Sequence, residues 1–175
     1  KATPLNTYAK QKLIAENYIK KINDYLIIRT NFFGISKKKN KSFDFIYESF
    51  LNNKKLFFYN DIFYNPIYVK DLTIIIEKLI KINAKGTFNI SSDKKISKFE
   101  FAKMICDLFN FPQDLLKSLN YNDEKIFKEK RPKNMFISNK KIKKKLSLRG
   151  ISTLQGLKKM GYKIADISDR RRTSK

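Results

Sequence analysis

Apolar residues along this chain recur in short blocks whose period alternates between that of a helix and that of a strand. Residues 8–22 carry Leu13, Ala15, Ile19 and Ile22 near one face, which predicts an amphipathic helix broken at Asn23-Asp24. Tyr25-Leu-Ile-Ile28 follows as a short buried strand, and Arg29-Thr-Asn-Phe-Phe-Gly34 leaves it and turns at the glycine. After a polar loop over 35–42, Phe43–Asn52 reads as a helix, Lys55–Tyr59 as a strand, and Ile67-Tyr-Val69 as an extended piece entered through Pro66. Asp71 is the expected N-cap of a helix over Leu72–Ile82, and Thr87-Phe-Asn-Ile90 is a further strand. Ser97 with Glu100 three residues on forms a capping box for a helix over Lys98–Phe109. Pro112–Lys130 is charged and aperiodic. Met135-Phe-Ile137 is extended, Ser138 is the expected cap of a helix over Asn139–Leu146, and Leu154–Met160 is the last helix. Strands alternating with helices predict an α/β fold.

Composition supports a packed core, since 42% of residues are hydrophobic and 14% aromatic. The longest apolar runs, such as Leu72-Thr-Ile-Ile-Ile76, are too short to span a bilayer, so no membrane association is expected. Cys106 is the single cysteine and there is no histidine. An internal disulfide, a multi-cysteine metal site, His-ligated zinc and Ser-His catalysis are thereby excluded, and no metal is expected. A reducing, cytoplasmic setting fits this usage.

The formal charge of +23 raises nucleic acid as a partner. Of 39 basic residues, however, only six are Arg, and the lysines are dispersed among abundant Ile, Asn, Phe and Tyr. Those residue types share A/T-rich codons, so a biased genome accounts for much of the excess. No specific nucleic-acid partner is expected, and a basic nucleic-acid-binding module is the least favoured class.

Candidate chemistry begins at Tyr8 and Lys12, four positions apart and so on one helix face. A phenol beside an ammonium is suited to passing a proton to a carbonyl oxygen, because the positive charge favours the phenolate. In a lysine-rich chain the spacing alone also describes a solvated helix face.

The ordered set Y-x-x-x-K with Glu16, R-T-N-F-F-G, N-D-x-x-x-x-P with Asp71, G-T-F-N-I-S, S-K-F-E-F-A and R-P-K-N-M covers residues 4–160. It resembles the extended short-chain dehydrogenase/reductases, and among them the dTDP-4-dehydrorhamnose reductase-like nucleotide-sugar enzymes. That resemblance implies the last elements of a Rossmann fold over 1–34, a small α/β substrate-binding lobe with return elements over 35–160, and an unassigned tail over 161–175. It implies that Tyr8 is the acid/base at a sugar C4 oxygen and that Lys12 holds the nicotinamide ribose. Asn31, Phe32 and Arg131 become candidate contacts for the nucleotide-diphosphate sugar.

The sequence departs from the family at Gln11, where a serine is common, and in the short Arg29–Asn31 spacing. Its five glycines, at 34, 86, 150, 156 and 161, form no phosphate-cradling cluster. We therefore expect the carboxy-terminal part of such an enzyme, with the dinucleotide-binding half lacking. The full-length cofactor would be NADP or NAD, with none bound tightly by this part alone. Expected partners are the nucleotide sugar and either a second copy of the chain or the amino-terminal half. A nucleotide-sugar epimerase or dehydratase and a non-catalytic regulatory relative are the alternative readings.

Overall fold

A computed structural model of the chain describes residues 3–35, 42–121 and 132–161. Five α-helices are bounded within them: α1 (Thr7–Ile19), α2 (Ser42–Leu51), α3 (Val69–Lys81), α4 (Lys98–Leu108) and α5 (Lys140–Leu146), and residues 153–161 are helical (α6). The strands are β1 (Leu26–Thr30), β2 (Phe32–Phe33), β3 (Leu56–Tyr59), β4 (Phe63–Tyr64), β5 (Ile67–Tyr68), β6 (Gly86–Ile90), β7 (Ile96–Ser97) and β8 (Leu116–Leu119). They pair as β1–β6, β2–β5 and β3–β8, all parallel, and as β4–β7, antiparallel. The architecture is mixed α/β.

Two apolar cores hold these elements. The first joins β1 and β6 to α3 and α5 through Leu72, Ile75, Leu79, Phe88, Ile90 and Ile142, with Leu26 and Ile28 packed at its edge. Residue pairing Ile28↔Phe88 and Thr30↔Ile90 keeps these side chains on the sheet face that α3 covers. The second core is aromatic-rich. Phe43, Ile46 and Phe50 of α2 lie at helical spacing and meet Phe101, Ala102, Ile105 and Cys106 of α4. Phe33 stacks edge-on to Phe101 at 5.2 Å and lies 5.8 Å from Tyr68, which knits β2, α4 and the β5–α3 junction together. Burial pushes the Cys106 thiol up, as suits a structural thiol.

Helix ends follow local chemistry. Ser97 Oγ accepts from Glu100 N–H and the Glu100 carboxylate accepts from Ser97 N–H, the reciprocal pair expected from S-x-x-E. Left-handed residues follow α2, α3 and α4, and each is an asparagine (Asn53, Asn83, Asn110), the non-glycine residue that tolerates this conformation best. Gly86 takes a positive φ of 101°, and two other glycines serve close approach. A Cβ on Gly156 of α6 would stand 2.7 Å from Tyr68 Cβ, and one on Gly34 would stand 2.5 Å from Val69 Cγ1.

Two expected caps are not caps. Asp71 lies in the first turn of α3, behind the N-cap Tyr68, and its carboxylate meets Lys159 Nζ at 2.7 Å. Ser138 precedes the true N-cap of α5, Asn139, and its carbonyl accepts from Asn89 Nδ2. For Asp71 a lysine on another element claims the carboxylate that sequence alone assigns to the helix end, and for Ser138 the helix starts one residue later.

Candidate functional site

Tyr8 and Lys12 lie on the first two turns of α1. Asn6 caps this helix, its Oδ1 accepting from Ala9 N–H at 2.9 Å. Lys12 Nζ stands 5.5 Å from the centre of the Tyr8 ring, the contact that i, i+4 spacing permits. Both side chains are exposed, Tyr8 to 67%. Contrary to the amphipathic reading, α1 buries no residue at all. Ala9, Leu13 and Glu16 form its half-covered line, and Ile14 and Ile19 face outward.

A bidentate ion pair pins α1 to β1. Arg29 Nε and Nη2 donate to Glu16 Oε1 and Oε2 at 2.8 and 2.5 Å. These bonds hold the Glu16 carboxyl below its ordinary range, against the opposing effect of partial burial. The pair also fixes direction. Residue 16 lies near the end of α1 and residue 29 near the end of β1, with a short turn between, so helix and strand run antiparallel. Tyr8 stands eight residues before Glu16, about 12 Å further along the axis at about 1.5 Å per residue. Tyr8 and Lys12 thus lie toward the amino-terminal end of α1, on the far side of the clamp from the turn that leads into β1.

The polypeptide at the carboxyl end of β1 is held by amide side chains. Asn31, the first residue after β1, donates through Nδ2 to Met135 O at 3.0 Å, and its carbonyl accepts from Ile67 N–H at 2.8 Å. Its carboxamide is thus partly engaged in fastening the segment that follows Pro132. Phe32 is 54% exposed, whereas Phe33, the next residue, is in the core. Strand alternation sends the first ring outward and the second inward. Arg131 lies outside the described residues. Of the five candidates, Tyr8 and Lys12 meet each other on α1, and Asn31 and Phe32 directly follow β1.

Asn65 was not singled out by sequence reasoning. It is fully buried, donates to Ser91 Oγ, Ser92 O and Ile137 O, and accepts from Ile137 N–H. It ties Ile137 to the turn after β6, while Asn31 and Asn89 hold the carbonyls of Met135 and Ser138. The Asn-Pro dipeptide at 65–66 marks a turn but does not reveal a polar hub. Asp93 plays a similar part. Burial pushes its carboxyl up, but Asn139, Lys143 and Ile151 N–H together hold it below its ordinary value. Among the described residues no group of His, Cys, Asp and Glu is arranged to hold a metal, and no helix is long and apolar enough to cross a membrane.

The family model described as the RmlD substrate binding domain matches residues 1–164. No curated protein matches the sequence. Among solved structures, the chain is similar to a dTDP-4-dehydrorhamnose reductase from Bacillus anthracis in complex with NADP, at 25% identity and a TM-score of 0.84, over 93% of this chain and 57% of that one. It is also similar to a hypothetical dTDP-4-dehydrorhamnose reductase from Sulfolobus tokodaii, at 28% identity and a TM-score of 0.73, over 89% of this chain and 54% of that one. A dTDP-glucose 4,6-dehydratase from Bacillus anthracis in complex with NAD shares the fold at 19% identity and a TM-score of 0.71, over 91% of this chain and 52% of that one. The chain spans little more than half the length of these proteins.

Proposed function

The chain belongs to the RmlD substrate binding domain family, and on that premise we propose that it carries the sugar-binding and proton-donating part of a nicotinamide-dependent nucleotide-sugar reductase. The observation that carries this reading is the Tyr8–Lys12 contact, exposed on the helix that the Glu16–Arg29 clamp ties to β1. The substrate class we assign is a 4-keto sugar linked through a diphosphate to a nucleoside, of the dTDP-4-dehydrorhamnose type.

The residues present fit one end of a dinucleotide cofactor and not the other. Lys12 supplies a cation for the ribose next to the nicotinamide. No glycine cluster cradles a pyrophosphate, and two of the glycines are taken up by packing against Val69, Tyr68 and Phe33. When bound in a complete enzyme, NADP or NAD in reduced form supplies hydride to the C4 carbon. This chain's task is the proton. Tyr8 Oη donates to the C4 oxygen as charge builds on it, and Lys12 stabilises the tyrosinate that remains. Asn31, whose Oδ1 makes no bond among the described residues, offers an acceptor to a sugar hydroxyl. Phe32 offers an exposed ring to the sugar or base, and Arg131, outside the described residues, is assigned to the diphosphate. Residues 1–34 are read as the part that belongs with the dinucleotide-binding fold and 35–160 as the substrate lobe. The dehydratase likeness supports the same fold with lower similarity and ranks second.

The test is a titration of isotope-labelled chain with dTDP, followed by NMR. Shifts confined to Tyr8, Lys12, Asn31, Phe32 and residues 131–138 are expected. Binding elsewhere, or none at millimolar dTDP, overturns the assignment. The purified chain alone should not oxidise NADPH in the presence of a dTDP-4-keto sugar.

A further inference from the structure

Two clefts flank the segment that enters α6, and neither takes a residue from α1, β1 or the turn after β1. The larger encloses about 480 Å³, within the range of about 300–1,000 Å³ that small-molecule sites occupy. Its apolar walls come from both cores: Ile96 and Met104 from the aromatic-rich one, and Ile151 from the one around α3. Leu154, 41% exposed, adds to that surface. The frame is fixed by bonds between distant segments. Asp93 N–H donates to Ile151 O at 2.8 Å, and Asp93 Oδ2 accepts from Ile151 N–H at 3.2 Å. Thr153 Oγ1 donates to Pro66 O at 2.8 Å and lies 2.9 Å from Ser92 Oγ. A cleft held in this way needs little ordering to receive a ligand.

Charge around this cleft is one-sided. The Asp93 carboxylate is already engaged by Asn139, Lys143 and Ile151 N–H. Arg149 and Lys94 also line the cleft, and neither has a carboxylate partner among the described residues. Arg149 reaches the smaller cleft too, where Lys78 adds a further cation and Asp71 is taken by Lys159. We propose that the larger cleft is a binding site for a small phosphate monoester with an apolar body. The phosphate sits on Arg149 and Lys94, and the body lies against Ile96, Met104 and Leu154. Two cations without partners select a doubly charged head over a single carboxylate, and a guanidinium can pair two phosphate oxygens at once. The apolar walls select a body, because a bare phosphate leaves them in contact with water. None of Tyr8, Lys12, Asn31 and Phe32 lines this cleft, so the site stands apart from the reductase reading.

The test is an NMR titration of the isotope-labelled full chain with phenyl phosphate, phenylacetate, benzyl alcohol and inorganic phosphate, read at the Met104 and Leu154 methyl groups and at Arg149 Nε. Phenyl phosphate should shift these signals with a Kd of about 1 mM or tighter and leave α1 unmoved. Each of the other compounds should bind at least about fivefold more weakly, having lost the second charge, the whole charge or the body. Arg149→Gln and, separately, Leu154→Glu should each weaken phenyl phosphate at least about fivefold. Both positions are exposed, so the thermal midpoint of the unliganded chain should not move. The proposal is overturned if phenyl phosphate leaves the cleft signals unmoved at about 10 mM, ten times the expected Kd. Phenylacetate or benzyl alcohol binding as tightly as phenyl phosphate overturns it too, as does phenyl phosphate binding that Arg149→Gln does not weaken. A failed dTDP titration does not bear on this result, because the two sets of signals share no residue.

Discussion

α1 and α4 have similar lengths and opposite standing in the molecule. Both begin at a side-chain cap, but the apolar residues of α4 fall on one face whereas those of α1 are spread around the helix. α4 spends them on the core, with Phe101 edge-on to Phe33 and Tyr64 and Ile105 fully buried. α1 keeps them outside and is held to β1 by an ion pair and a thin half-covered line. The helix that carries the candidate chemistry therefore contributes little to stability, and the helix that carries stability has no part in the chemistry. An exposed pair such as Tyr8 and Lys12 costs the fold nothing and remains free to meet a ligand.

The sharpest way to break this contrast is by truncation. Phe101→Ala should lower the unfolding free energy by about 3–5 kcal/mol, as for other buried aromatics, whereas Ile14→Ala should change it by no more than about 0.5 kcal/mol. Urea unfolding followed by tyrosine fluorescence measures both, and equal losses would place α1 in the core. Removing the caps probes the same difference at smaller scale. Ser97→Ala should cost about 1 kcal/mol of global stability, because α4 unfolds only with the whole. Asn6→Ala should be invisible in global unfolding and appear only as faster amide exchange at residues 7–10.

Acid sharpens the comparison further. The Glu16 value is depressed in the folded chain, so its contribution is present above the ordinary carboxylate range near about 4.3 and is lost as pH falls through the lowered value. Because Arg29 is substantially exposed, this contribution is on the order of 0.5 kcal/mol. The protection factors of α1 amides, taken relative to the intrinsic exchange rate at each pH, should fall by about twofold between roughly pH 5 and pH 3, while those of α4 stay unchanged. Glu16→Gln should remove that pH dependence.

Much of the local structure was legible. The capping box at Ser97 was assigned with its partner, and strands near 25–28, 55–59 and 87–90 lie within a residue or two of β1, β3 and β6. Those segments carry strong local signals: reciprocal cap residues, β-branched and aromatic runs, and asparagines after helices. β8 was not legible, because Leu116-Lys-Ser-Leu119 sits in a charged stretch and becomes a strand only by pairing with β3. β4 and β7 are two residues each and are defined by tertiary pairing, with each other and, for Phe63, with Asn134. Of the site, the Tyr8–Lys12 contact follows from helical spacing alone. The double use of Asn31 and the hub at Asn65 do not, since their partners lie 104 and up to 72 residues away.

By itself the sequence determined the α/β alternation, most helix boundaries and the adjacency of a phenol and an ammonium, because each depends on contacts within a few residues of the chain. Only the tertiary structure decided which apolar faces are buried, which carboxylate meets Arg29, and which carbonyls the amides of Asn31 and Asn65 hold. Those choices depend on which surfaces meet across long loops, and the partners brought together there lie far apart in the chain.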